Sequence, residues 1–135
     1  MTLQDLLAEA ASARTHFTVL GASGFVGTHF TSFCARHGLS YSTPERGARL
    51  DGPLGNVVYC IGLTADYATR PFDTVQAHVS VLSDVLERAT FDGLVYLSST
   101  RLYDWSRDPA IETAALPLRP QEPRHVYDLS KALGE

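Results

Sequence analysis

Cysteine is nearly absent from this 135-residue chain, which has only Cys34 and Cys60. Two thiols cannot make the multi-bridge framework of a small secreted domain. Cys34 falls in an expected helix and Cys60 in an apolar strand, so both read as small core residues. No Cys-x-x-Cys pair occurs and the five histidines have no metal-ligand spacing, so no metal site is expected. Positive charge is also short: 11 Lys and Arg against 15 Asp and Glu leave a formal charge of −4. The basic residues are scattered, which argues against a nucleic-acid partner. No apolar run approaches bilayer-spanning length. The first sixteen residues, MTLQDLLAEAASARTH, carry two acids and no long apolar stretch, unlike a secretory signal. The expectation is a cytoplasmic protein with no membrane partner. What is present is ordinary, with 44% hydrophobic and 19% charged residues, enough to bury the core of one domain.

Apolar periodicity orders the chain. Leu3, Leu6, Leu7 and Ala10 recur at helical spacing, predicting a short amphipathic extension over residues 1–14. His16 to Leu20 is a β-rich run stopped by Gly21. Residues 24–37 are helical in pattern and are ended by Gly38. Leu39 to Thr43 predicts a second strand. The turn-rich ERGARLDGPLG, from Glu45 to Gly55, holds at most a very short one. Asn56 to Gly62, NVVYCIG, is the strongest strand, a continuous apolar run suited to a parallel sheet covered on both faces. A helix from Pro71 to about Ala89 is expected to bury Val75, Val79, Leu82 and Leu86. Leu94 to Leu97 predicts another short buried strand. A proline-bearing loop follows, and helix resumes near Val126. Strand and helix alternate, so residues 15–135 predict a doubly wound parallel α/β sheet.

The segment Gly21-Ala-Ser23-Gly24-Phe25-Val26-Gly27 sets three glycines at intervals of three, after a strand and opening a helix. The first permits a tight turn, the second lets a diphosphate approach the backbone, and the third packs helix on strand. Free N–H groups and the helix dipole favour the negative charge there. This is the turn of a Rossmann-type, NAD- or NADP-binding unit. Glu45, just past the second strand, is the candidate for the adenosine ribose hydroxyls. Arg46 beside it is the candidate for a 2′-phosphate, and the choice between NAD and NADP stays open.

Tyr127 and Lys131 stand four residues apart, on one face of a helix. A free tyrosine titrates near pH 10, and a nearby cation favours the phenolate. Such a phenol can exchange a proton with a substrate hydroxyl while hydride passes to or from a nicotinamide. Ser99, at the carboxyl end of a strand, is placed to donate a hydrogen bond to the same oxygen.

Together, GASGFVG, LVYLSSTRLYD and YDLSK resemble the extended short-chain dehydrogenase/reductase superfamily, specifically its NAD-dependent epimerase/dehydratase family, from about Phe17 onward. The resemblance implies Ser99 as catalytic serine, Tyr127 as acid/base and Lys131 as partner of the nicotinamide ribose. Cys60-Ile61-Gly62 takes the place of the family's turn beside the cofactor. It also implies a nucleotide-activated sugar as small-molecule substrate. Departures are visible: the adenine side is abbreviated to ERGARLDGPLG, with Asp51 as the stand-in for an adenine-contacting Asp. His78 stands where Asn is usual. The sequence ends just after Lys131, so the Rossmann domain is expected to be C-terminally incomplete and without a substrate domain. An unfinished sheet has an open edge, so a homo-oligomer is expected. The competing reading is a non-catalytic NAD(P)-binding or sensing module.

Overall fold

The computed structural model describes Thr2, Gln4, Asp5 and residues 15–108 and 111–135. The expected N-terminal extension lies outside these residues except for its start. There Asp5 N–H donates to Thr2 Oγ1 at 3.2 Å and Thr2 N–H donates to Asp5 Oδ2 at 2.6 Å, a reciprocal helix-start pairing.

The fold is mixed α/β around a parallel sheet. Strand β1 (His16–Leu20) leads into helix α1 (Phe25–Arg36), strand β2 (Ser40–Ser42), the two-residue β3 (Gly52–Pro53) and β4 (Asn56–Tyr59). Next come α2 (Pro71–Val75), a π-helical turn (Gln76–Ser80), α3 (Val81–Arg88), the short β5 (Ala89–Thr90) and β6 (Gly93–Tyr96). A 3-10 turn (Thr100–Tyr103) and helix α4 (His125–Gly134) complete the order. The main sheet runs β2-β1-β4-β6 with every pairing parallel, and β3 pairs separately with β5. The chain steps outward from β1 to β2 and then returns to place β4 on the other side of β1. That reversal is a topological switch point, where ligands of doubly wound sheets settle.

Two compact units divide the chain: Met1–Ile61 with Asp84–Leu97, and Gly62–Ser83 with Ser98–Glu135. In the first, the β-branched and apolar side chains of the central strands make the core: Val19, Leu20, Val57 and Tyr59 are all buried. Phe17 meets Phe30 of α1 edge-on at 5.5 Å, which docks that helix on β1. Gly38 ends α1 at φ +64°, and the Leu39 N–H closes back on the Cys34 carbonyl at 2.9 Å. In the second unit, α4 packs against α2 and the π-helical turn.

Three expectations need correction. Cys34 is buried, but Cys60 lies one residue beyond β4 and is only half-buried, because the ladder ends at Tyr59. The helical run 71–88 buries Thr74, Ala77, His78, Leu82 and Val85, whereas Val75 and Leu86 are 43% and 56% exposed. Two of the first three residues of the inner face, Thr74 and His78, are polar and find hydrogen bonds indoors, so hydrophobicity alone places Leu82 correctly but not Val75 or Leu86. Val95 is 57% exposed, so β6, the last strand in the sheet order, is not covered on both faces.

Among the described residues no helix is long and apolar enough to cross a membrane, and no group of His, Cys, Asp or Glu is arranged to hold a metal ion.

Candidate functional site

The glycine turn occupies the carboxyl end of β1, beside β4 at the switch point. Gly21 has φ +86°, a left-handed conformation that side chains resist. A Cβ there would also sit 2.8 Å from the Cys60 carbonyl carbon and 2.9 Å from Ile61 N. The turn is therefore pressed against the Cys60-Ile61 segment, itself tied to β1 by Cys60 N–H donating to the Leu20 carbonyl at 2.8 Å. Gly27 is buried in the first turn of α1, where a Cβ would collide with the Gly21 carbonyl oxygen and lie 2.7 Å from Ala22 Cα.

Gly24 differs. It is exposed, with ordinary φ of −78° at the N-cap of α1, and an added Cβ would meet only the Gly21 carbonyl oxygen at 3.4 Å. Neither backbone conformation nor internal packing requires glycine at this position. No side chain caps the helix, and the amides of Phe25, Val26 and Gly27 precede the first full helical bond, Thr28 N–H to Gly24 O at 2.9 Å. Phe25 and Val26 are 82% and 48% exposed, and Ser23 is exposed in the turn. The result is an open, electropositive cradle shaped for an anion.

Glu45 and Arg46 follow β2 on the same end of the sheet and are exposed. The Glu45 carbonyl accepts from Ala48 N–H at 3.0 Å, across Gly47 at φ +83°. Asp51 pairs with Arg49 at 2.5 Å, so its carboxylate is already engaged.

The second unit gathers Gly62, Ser99, Tyr127 and Lys131. Tyr127 and Lys131 are 3% and 5% exposed, one helical turn apart on α4. Ser99 is the N-cap of the 3-10 turn, its Oγ accepting from Arg101 N–H at 3.3 Å. A Cβ at Gly62 would sit 3.4 Å from both Lys131 Nζ and His78 Nε2, which places that segment beside the ammonium and the imidazole.

His78 has no solvent exposure, and its hydrogen bonds fix its tautomer. Leu63 N–H donates to Nε2 at 3.2 Å, so the ring proton is on Nδ1, which donates to Ser130 Oγ at 2.7 Å. Ser130 in turn donates to the Tyr127 main-chain carbonyl at 3.1 Å. Burial first, and the positive charge of Lys131 second, push the imidazole pKa from 6.5 down to about 4. The ring edge stands 5.4 Å from the Tyr127 ring at 85°, and Tyr67 covers the same phenol at 5.4 Å.

Arg124 clasps the 3-10 turn to α4. Its Nη1 donates to Asp104 Oδ2 at 2.7 Å, its Nη2 to the Arg101 carbonyl at 3.3 Å, and its Nε lies 3.4 Å from Asp128 Oδ2. The Asp104 hydrogen bond raises the guanidinium pKa. Burial raises that of the Asp128 carboxyl, against the opposing pull of Arg124.

Solved structures share this architecture, and one of them holds a nicotinamide cofactor. The NADPH complex of RMD from Pseudomonas aeruginosa superposes with a TM-score of 0.58 and 25% sequence identity, over 89% of this chain and 46% of that one. The chain thus spans about half the length of that protein. No protein-family model and no curated protein sequence matches it.

His78, Ser130, Arg101 and Arg124 were not among the sequence-derived site residues. Nothing in the spacing of Leu63, His78 and Ser130 announces that they meet.

Proposed function

We propose that this chain is the NAD(P)-binding part of an oxidoreductase of the epimerase/dehydratase kind, acting on a hydroxyl-bearing carbon of a nucleotide-activated sugar. The observation that carries the reading is Gly24. Gly21 and Gly27 lack side chains for internal reasons, whereas Gly24 leaves open space that the fold itself does not use. A diphosphate fits that space, next to amides that precede the helical ladder and at the switch point of the sheet. The NADPH held by RMD, a protein of similar fold, supports the same assignment.

Gly21, Ser23, Gly24, Phe25, Val26 and Gly27 would hold the diphosphate, with Cys60, Ile61 and Gly62 lining the adjoining turn. Glu45 and Arg46 are the candidates for the adenosine ribose end. The nicotinamide, when bound, supplies the two-electron chemistry as hydride acceptor or donor. Tyr127 takes the proton from the substrate hydroxyl as the carbon is oxidised, and returns it on reduction. Lys131 binds the ribose and keeps positive charge beside the phenol. Ser99 Oγ donates to the substrate oxygen.

The test is a titration of the full chain with NADPH and NADH, followed by nicotinamide fluorescence, beside Gly24→Asp. Aspartate suits an N-cap and leaves the fold intact, but its carboxylate opposes a diphosphate. Wild type should bind, and the variant should bind at least about tenfold more weakly with unchanged melting temperature. Equal binding by both proteins, or none by wild type, overturns the reading. In turnover, Tyr127→Phe should abolish cofactor reduction and spare binding. Binding without any turnover, in wild type and variant alike, would favour a sensing module instead.

A further inference from the structure

Arg101 stands between two of the groups assigned to catalysis. Its backbone N–H donates to Ser99 Oγ, and its guanidinium carbon lies 5.4 Å from the centre of the Tyr127 ring. The side chain makes one hydrogen bond, Nη1 to the Thr64 carbonyl at 3.3 Å, and is half-buried. A guanidinium offers five donors in a rigid planar fork, so most of this fork is unspent. No carboxylate among the described residues is in ion-pair contact with it. The two nearby acids, Asp104 and Asp128, are both engaged by Arg124, and Asp128 senses Arg101 only at longer range. The fork therefore keeps donors available to an anion that reaches this turn.

We propose that Arg101 is a specificity-determining residue that grips an anionic group, carboxylate or phosphate, carried by the substrate close to the carbon whose hydroxyl meets Tyr127. The proposal rests on the oxidoreductase reading and adds the substrate class: an acidic or phosphorylated hydroxy compound rather than a neutral one. Geometry limits how far the anion lies from the reacting carbon. The guanidinium carbon lies 5.4 Å from the centre of the ring of the phenol that receives the proton, so the anion it grips belongs to the same part of the substrate as the reacting hydroxyl. Bidentate recognition also orients the substrate plane, which a single ammonium would not do.

The experiment uses the full-length chain and phenylglyoxal, an arginine reagent, with labelling read at each site by peptide mass spectrometry. Malonate probes for a carboxylate site and inorganic phosphate for a phosphoryl site. At least one of them should slow modification of Arg101 fivefold or more, while Arg49 and Arg107, both exposed, react at unchanged rates. Protection by malonate alone assigns a carboxylate, and protection by phosphate alone assigns a phosphoryl group. In calorimetry, Arg101→Gln should lose the anion heat and keep its NADPH affinity within twofold. Arg101 labelling that neither anion slows, with NADPH binding intact, overturns this proposal alone. Absent NADPH binding overturns the oxidoreductase reading, and the substrate assignment with it.

Discussion

A histidine sealed from water must satisfy both ring nitrogens indoors, and at His78 this makes protonation costly. The unfolded imidazole binds its proton below pH 6.5, the folded one only below about 4. Between those values the unfolded state holds more protons, so the stabilisation present above pH 6.5 is lost as the pH falls through about 4. The linkage is worth on the order of 3 kcal/mol. Urea melts from pH 8 to 4 should show that decline, and His78→Asn should remove most of it from the pH profile. Parallel profiles for the two proteins would show that His78 does not titrate as its surroundings dictate. No reading of sequence reaches this point, because Leu63 and Ser130 stand 15 and 52 residues from His78 in the chain.

At the scale of single elements, the three glycines of the turn should respond differently to substitution. Gly27→Ala gains helix propensity but drives a Cβ into the Gly21 carbonyl, and the net cost should be about 2 kcal/mol or more. Gly24→Ser places a favoured N-cap residue in open space and should be neutral or stabilising. Chemical denaturation of both variants checks the pair, and equal losses would contradict the packing described. This turn was legible in advance because its spacing reflects local demands: one positive φ, one close helix–strand contact and one opening. Helices 71–88 were legible in extent but not in orientation. Thr74 donates to the Arg70 carbonyl at 2.8 Å, and His78 is fully partnered, so the buried face carries polar residues that an apolar count assigns to solvent. The Arg124 clasp was equally hidden, since Asp104 lies 20 residues from it.

Across the whole molecule, alternation of strand and helix sufficed to foresee a parallel sheet, and motif order sufficed to nominate Ser99, Tyr127 and Lys131. The pairing of Arg124 with Asp104 was not foreseeable, since it depends on the fold bringing the 3-10 turn to the start of α4. The sheet ends at β6, where Val95 is exposed and no further strand is paired among the described residues. Open edges with apolar side chains invite pairing between copies. Concentration-dependent association is therefore expected in sedimentation velocity, and Val95→Lys should reduce it. A wild-type protein that sediments as a monomer at every concentration would refute the expectation.

The polarity of the bonds around His78 has one more consequence. Amide, imidazole and hydroxyl each give in the same direction, and the series terminates on a peptide oxygen of residue 127, not on its phenol. A chain of this kind is a strut, not a conduit: it ties Leu63 to the backbone of α4 and carries no proton to the Tyr127 hydroxyl.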